Sequence, residues 1–216
     1  MKRFILILSV LVLSSCASAP RPDYALKTRS GYVTASWYGP KFNGRPTSSG
    51  ERFDMYAMTA AHKTLKFGTK LRVTNPENNK SVIVTVTDRG PFIRGRDLDL
   101  SYGAAKKIGL VEKGVGRVKI KRVGRDIRYV KRIPFIPDRT SGVVNIQVAS
   151  FTDMSSAYRL KKGLEVKYKN VFITRAIIKR EKYYRVKIGK FKRHEKALAV
   201  AKELADEGYD VFIDIN

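Results

Sequence analysis

Between residues 31 and 120 apolar and polar side chains alternate in short runs. Tyr32 to Tyr38, Thr69 to Thr74, Ser81 to Thr87 and Gly116 to Val123 alternate or run apolar with β-branched residues, and Gly, Pro or Asn separates them. A period of two sends every second side chain to one face of a strand, so short strands at this spacing predict a small barrel. One helix is predicted, Ser101 to Ile108, in which Ala104, Ala105 and Ile108 share a face and Gly109 can end the run.

The last part of the chain repeats itself with a period of 40 residues. Asn145 to Phe151 matches Arg185 to Phe191 in alternation and ends on the same aromatic, and Val171-Phe172-Ile173 recurs as Val211-Phe212-Ile213. Between them Ala157, Leu160 and Leu164 match Ala197, Val200 and Leu204, each set on one helical face. Two copies of strand, helix and strand sharing one sheet predict a ferredoxin-like βαββαβ arrangement. Residues 121 to 139 carry seven basic side chains with Pro134 and Pro137 and show neither period, which predicts a linker.

The amino terminus has a different pattern. Lys2 and Arg3 precede an apolar run from Phe4 to Leu13, too short for the ~20 helical residues that span a bilayer, and small residues follow. This is the pattern of a cleaved export signal. Leu13-Ser14-Ser15-Cys16 resembles a bacterial lipobox, which implies lipidation of Cys16 and attachment to a membrane by several acyl chains. Residues 16 to 30 then act as a tether, and Ala17, where some lipoproteins carry Asp, points to the periplasmic face of the outer membrane. Cys16 is the only cysteine and His62 and His194 the only histidines, so neither a disulfide nor a metal site is expected, and no cofactor.

Composition narrows the partners. The formal charge is +25 and is spread along the chain, with +9 in residues 30 to 120 and +7 in residues 141 to 216. Such a field would favour nucleic acid in the cytosol, but an exported chain meets anionic lipid and wall polymer, so nucleic acid is excluded as a partner.

Six ordered blocks carry a family likeness: Ala35-Ser36-Trp37-Tyr38-Gly39, Lys41-Phe42-Asn43-Gly44-Arg45, Thr47-Ser48-Ser49-Gly50-Glu51, Thr59 to Leu65 with Phe67-Gly68-Thr69, Thr87-Asp88-Arg89-Gly90-Pro91-Phe92, and Leu98-Asp99-Leu100-Ser101. Together they resemble the double-psi β-barrel of the rare lipoprotein A (RlpA) family of lytic transglycosylases. Residues 143 to 214 resemble the SPOR domain, through Gln147 and Phe151 on the opening strand and Arg185 to Gly189 on the third, with Ala149 where that pattern usually has Gly. The fold class expected is therefore mainly β plus α+β: a six-stranded double-psi β-barrel at 31–122, a basic linker at 123–140 and a SPOR domain at 141–216. The resemblance implies peptidoglycan as substrate, cleavage between N-acetylmuramic acid and N-acetylglucosamine, a preference for peptide-free strands, and enrichment at division septa with divisome proteins as partners.

A glycosidase that hydrolyses needs two carboxyl groups, whereas a lytic transglycosylase needs one, because the C6 hydroxyl of muramic acid is the nucleophile. Asp88, which ends an apolar strand at a turn, is the first candidate for that acid and base, with a turn aspartate as its structural alternative. The family likeness adds Glu51 and His62. Asp99 is the fourth candidate, since expansin barrels carry an essential aspartate in a similar setting; its alternative is helix capping. Trp37, Tyr38 and Phe42 are candidates for stacking on sugar rings. In the SPOR region Gln147, Ser150, Tyr184 and Arg185 are the expected glycan contacts, with Arg185 suited to the lactyl carboxylate of muramic acid. The rival reading is a non-catalytic, wall-binding or expansin-like wall-loosening lipoprotein.

Overall fold

A computed structural model describes residues 31–134 and 142–215. The leader, Cys16 and the tether to residue 30 lie outside the described residues, as does part of the expected linker. Six strands form a closed barrel: β1 (Tyr32–Trp37), β2 (Thr59–His62), β3 (Thr69–Thr74), β4 (Ser81–Asp88), β5 (Leu98–Leu100) and β6 (Val115–Arg125), in the order β1-β5-β2-β4-β3-β6. β1 with β5 and β2 with β4 are parallel, and the remaining pairs are antiparallel. The alternation does what it predicts. Leu71, Val73, Val84 and Val86 of the predicted strands are fully buried inside, each worth ~1.5–3 kcal/mol of apolar burial, and Leu98 and Leu100 of β5 join them. α1 (Tyr102–Lys107) is capped by Ser101, whose Oγ accepts from the Ala104 amide at 3.1 Å.

The pattern passes over β2 and β5, which are only 4 and 3 residues long and so carry too little periodicity to stand out. It also ends β6 too early. That strand runs to Arg125 and pairs Thr69 with Arg125, and a 3-10 turn at Ile127–Tyr129 follows, so the first part of the expected linker is ordered.

The C-terminal unit holds β7 (Val144–Phe151), α2 (Met154–Glu165), β8 (Val171–Ile178), β9 (Glu181–Phe191), α3 (His194–Glu207) and β10 (Phe212–Ile215). The antiparallel sheet order β10-β7-β9-β8 is that of the βαββαβ arrangement. Ala157, Leu160 and Leu164 of α2 and Ala197, Ala201 and Leu204 of α3 are buried on one side of it. The other side is open.

The two units pack together. The Phe67 amide donates to the Glu207 carbonyl at 3.0 Å and the Lys131 amide to that of Ala205 at 2.9 Å, while Asp206 pairs with Lys66 at 2.8 Å and with Arg125 at 3.4 Å. Tyr209 and Phe67 meet edge to face at 4.9 Å, and the Tyr209 hydroxyl accepts from Arg89 Nε at 2.6 Å. Gly163 of α2 lets the helix approach Arg89, since a Cβ there would lie 3.0 Å from that side chain. Tyr209→Ala is expected to cost ~3–5 kcal/mol of urea stability, as for other large core truncations, and Tyr209→Phe only ~1–3 kcal/mol for the donor left unpaired. Equal losses in the two variants would show that the ring contributes nothing to the docking.

Candidate functional site

The site is built on the outer face of the barrel. Ser36 of β1 is the register partner of Asp99 on β5, and Asp99 is the partner of Ala61 on β2. On its far side Ala61 pairs with Asp88 of β4, where the register shifts between Ala60 and Ala61. Without that bulge Asp88 would follow Val82, Val84 and Val86 into the barrel core. With it, Asp88 lies on the same outer row as Asp99, the kind of re-aiming that bulges supply beside functional sites. Strand spacing puts the two aspartate Cα atoms ~10 Å apart.

Both carboxylates are buried, and their partners differ. Asp88 accepts from the Ser48 and Arg89 amides at 2.8 Å each on Oδ1, and from the Tyr38 hydroxyl at 3.1 Å on Oδ2. The Ser48 bond ties down the loop that carries Glu51. Asp99 accepts on Oδ1 from Ser36 Oγ and, at 2.5 Å, from Arg96 Nη2. The helix cap is Ser101, so Asp99 does not serve that role. Tyr38 stands between the two aspartates, and burial first, then the charge of Asp88, holds its hydroxyl well above the usual phenol range. It stays protonated and donates. Tyr38 also joins Phe53 and Ala61 in a small apolar cluster, with Phe42 and Met55 packed against it.

Over this row lies a cleft of about 340 Å³ whose lining includes Trp37, Tyr38, Phe42, Phe92, Arg96 and Asp99. Of the four carboxyl and imidazole candidates Asp99 alone lines it. Asp88 is one side chain behind, through Tyr38. Glu51 is exposed on its loop, and both its oxygens accept from the Tyr129 hydroxyl at 2.8 Å. His62 Nδ1 accepts from the Thr64 and Leu65 amides at 3.1 Å each, which leaves the ring proton on Nε2. Desolvation, followed by the nearby Arg89 charge, lowers its pKa to about 4, so it is neutral at neutral pH. Among the described residues no three His, Cys, Asp or Glu side chains gather to hold a metal ion.

On the C-terminal sheet Gln147 pairs with Lys187, and Ser150 with Arg185, all on the open side. Tyr184 does not join them. It alternates with Arg185, pairs with buried Phe151 and packs on the core beneath the helices. Sequence reasoning missed Ser36 and Arg96, the partners of Asp99, although both stand in or beside the motif blocks. It also missed Arg159 of α2, which lines the barrel cleft and for which the sequence carries no signal.

Comparison with known proteins follows the division into two units. Residues 31–120 match the family model described as "Lytic transglycolase", and residues 140–213 match that of the SPOR domain. The endolytic peptidoglycan transglycosylase RlpA of Vibrio cholerae is 39% identical over 183 residues, which is 85% of this chain and 67% of that protein. The protein of the same name from Pseudomonas aeruginosa is 58% identical over 90 residues, 42% of this chain, and the chain spans only 26% of that relative's length. A solved expansin from Clavibacter michiganensis aligns over 84% of this chain and 77% of its own at 16% identity and a TM-score of 0.38, a likeness that bears no functional weight.

The state of His62 makes stability depend on pH. Its folded pKa of about 4 lies below the unfolded value near 6.5, so the unfolded chain binds more protons between them. Stability should therefore fall as pH drops from ~6.5 towards 4, by up to ~3 kcal/mol from this group. His62→Asn, which keeps an acceptor for the two amides, should remove that part of the slope in urea unfolding at pH 7 and 4.5. An unchanged slope would mean that His62 is not the group that resists protonation.

Proposed function

The chain belongs to the RlpA family, and on that footing we propose that it is a peptidoglycan lytic transglycosylase that cleaves the linkage between N-acetylmuramic acid and N-acetylglucosamine. The observation that carries this reading is Asp99 in the cleft beside Trp37, with Asp88 joined to the same row through Tyr38. One carboxyl group reaches the substrate side, which suits the transglycosylase route better than hydrolysis by a carboxyl pair. Once protonated, Asp99 gives that proton to the glycosidic oxygen as the bond from muramic acid C1 breaks, and Arg96 and Ser36 hold the carboxylate that remains. The same group then takes the proton of the C6 hydroxyl as that oxygen closes on C1, leaving a 1,6-anhydro ring and a restored acid.

The remaining residues position this chemistry. Ser36 and Arg96 orient the Asp99 carboxyl, Asp88 holds Tyr38 and the Ser48 loop, Glu51 ties its loop to Tyr129, and His62 braces the turn at Thr64 and Leu65. Trp37 and Phe42 offer ring faces for sugars. Gln147, Ser150 and Arg185 on the open sheet face, beside Lys187 and exposed Phe212, form a second glycan contact, as the SPOR likeness supports. The preference for peptide-free strands, the septal setting with divisome partners and the lipid anchor at Cys16 on the periplasmic face of the outer membrane belong to the same proposal. So does the order of leader, tether, barrel, linker and SPOR domain.

Mass spectrometry of peptide-free glycan strands incubated with the detergent-solubilised full chain tests the reading. Anhydro-muramic ends are expected from the unmodified protein. Asp99→Asn should lower their yield by ~10²–10⁴, the usual worth of a general acid and base, and Asp88→Asn by less. Full activity in Asp99→Asn would remove the assignment. No product from the unmodified protein, with glycan still bound, would establish the non-catalytic, expansin-like reading.

A further inference from the structure

The proposed function brings muramic acid into the cleft, and the role assigned to Arg159 there rests on that part of the reading, the choice of glycan. Lys41, Arg89, Arg96 and Arg159 line the cleft against the single carboxylate of Asp99. Two of these cations are already engaged. Arg89 donates to the Tyr209 hydroxyl and the Leu65 carbonyl with its guanidinium 3.8 Å from the Phe67 ring, and Arg96 is held on Asp99. Lys41 is exposed at the rim, 5.4 Å from the Phe42 ring.

Arg159 is different. It belongs to the other domain, on α2, and its guanidinium sits 5.4 Å over the ring of Phe42, which itself lines the cleft. Its Nη2 donates to Ser156 Oγ at 2.8 Å, and it forms no ion pair among the described residues, although Asp153 feels its charge; its Nε is buried without a hydrogen-bond partner, as are Arg89 Nη2 and Arg96 Nε. What sets Arg159 apart is that its guanidinium holds only a hydroxyl, where Arg89 holds a carbonyl and Arg96 a carboxylate, so the fork still has donors to offer an anion in the cleft. The helix that carries it is fixed in place. Asp153 caps α2 by accepting from the Ser156 amide at 2.8 Å, Ser156 Oγ donates to the Pro46 carbonyl at 3.4 Å, and Arg45 reaches Ser155 Oγ at 3.4 Å.

We propose that Arg159 is a substrate-positioning residue, reaching from the C-terminal domain to pair the lactyl carboxylate of muramic acid in the barrel cleft. The chemistry fits a fork of planar donors, which binds a carboxylate with direction as well as charge. It also gives the cleft a way to tell strands apart. Where a stem peptide is attached that carboxyl is a neutral amide, and only where the peptide has been removed is it an anion. A cationic cleft completed by Arg159 therefore selects peptide-free strands at the site of cleavage itself, independently of the open sheet face.

Trp37 is the only tryptophan in the chain and lines this cleft, so its fluorescence reports binding there. The probes are a peptide-free tetrasaccharide of alternating N-acetylglucosamine and N-acetylmuramic acid, and the same compound with each lactyl carboxyl converted to its methylamide. The full chain should bind the free acid about tenfold or more tightly than the amide, as expected for a charge-assisted pair. Arg159→Ala should weaken the free acid to the level of the amide and leave the amide unchanged, and Arg159→Lys should keep part of the difference. Urea midpoints confirm that the variants are folded. Unchanged binding of the free acid by Arg159→Ala, equal weakening of both probes, or no Trp37 response to either overturns the proposal. Anhydro products are scored on the same samples. Discrimination without cleavage would sink the transglycosylase reading and leave the role of Arg159 standing.

Discussion

The register shift at the end of β4 is the constraint on which the rest of this structure depends. Strand β4 buries Val82, Val84 and Val86 in the barrel, and an unbroken period of two would send Asp88 after them. Pairing Ala61 with Asp88 directly after Ala60 with Val86 absorbs one residue, Thr87, and turns the aspartate to the outer row. An aspartate in the apolar core would be costly, because an unpaired buried charge is among the most expensive groups a fold can hold. On the outer row it is buried but satisfied, by two amides and the Tyr38 hydroxyl.

The same shift decides what the next residue does. Arg89 follows Asp88 towards the C-terminal domain, where it is 2% exposed, lies against Phe67 and donates to Tyr209. Adjacent residues of one motif thus serve two ends: Asp88 supports the site and Arg89 supports the joint between domains. In a chain of net charge +25 the joint is also where several of the acidic groups are concentrated. Across it Asp206 answers Lys66 and Arg125 and Asp210 answers Lys131, and within the C-terminal unit Glu203 and Glu207 answer Lys167. The exposed pairs among these contribute ~0–1 kcal/mol each. The apolar contacts of Phe67 and Tyr209 therefore carry most of the docking, and the ion pairs keep like charges apart.

Much of this was legible in the sequence, and the parts that were not share a cause. Alternation in β3 and β4 and the 40-residue repeat exposed both folds because they are local patterns repeated several times. The motif blocks located Asp88 and Asp99, but not which of them reaches the cleft, since that depends on a bulge between strands far apart in sequence. Tyr184 was misplaced for a related reason. Its motif neighbours suggested ligand, while its pairing with Phe151 puts it on the covered face. Nothing in the sequence singles out Arg159 or Tyr209; both gain meaning only where the two domains meet. Contacts between domains have no period and no fixed spacing, so neither side of the joint announces the other.

Docking also sets how the two proposed glycan surfaces relate. Helices α2 and α3 cover one side of the C-terminal sheet, and it is these helices, through Ser155 to Gly163 and Ala205 to Glu207, that touch the barrel. The open side, with Gln147, Ser150 and Arg185, is therefore turned away from the cleft. A glycan strand lying straight on the open face does not run into the cleft without bending round the edge of the domain. On the proposed reading the two surfaces engage separate strands, or well-separated stretches of one. A domain used only as a tether would need no such fixed geometry, and a free linker would serve it better. The packed joint through Arg89 makes sense if the C-terminal domain also supplies part of the cleft, which is where α2 places Arg159.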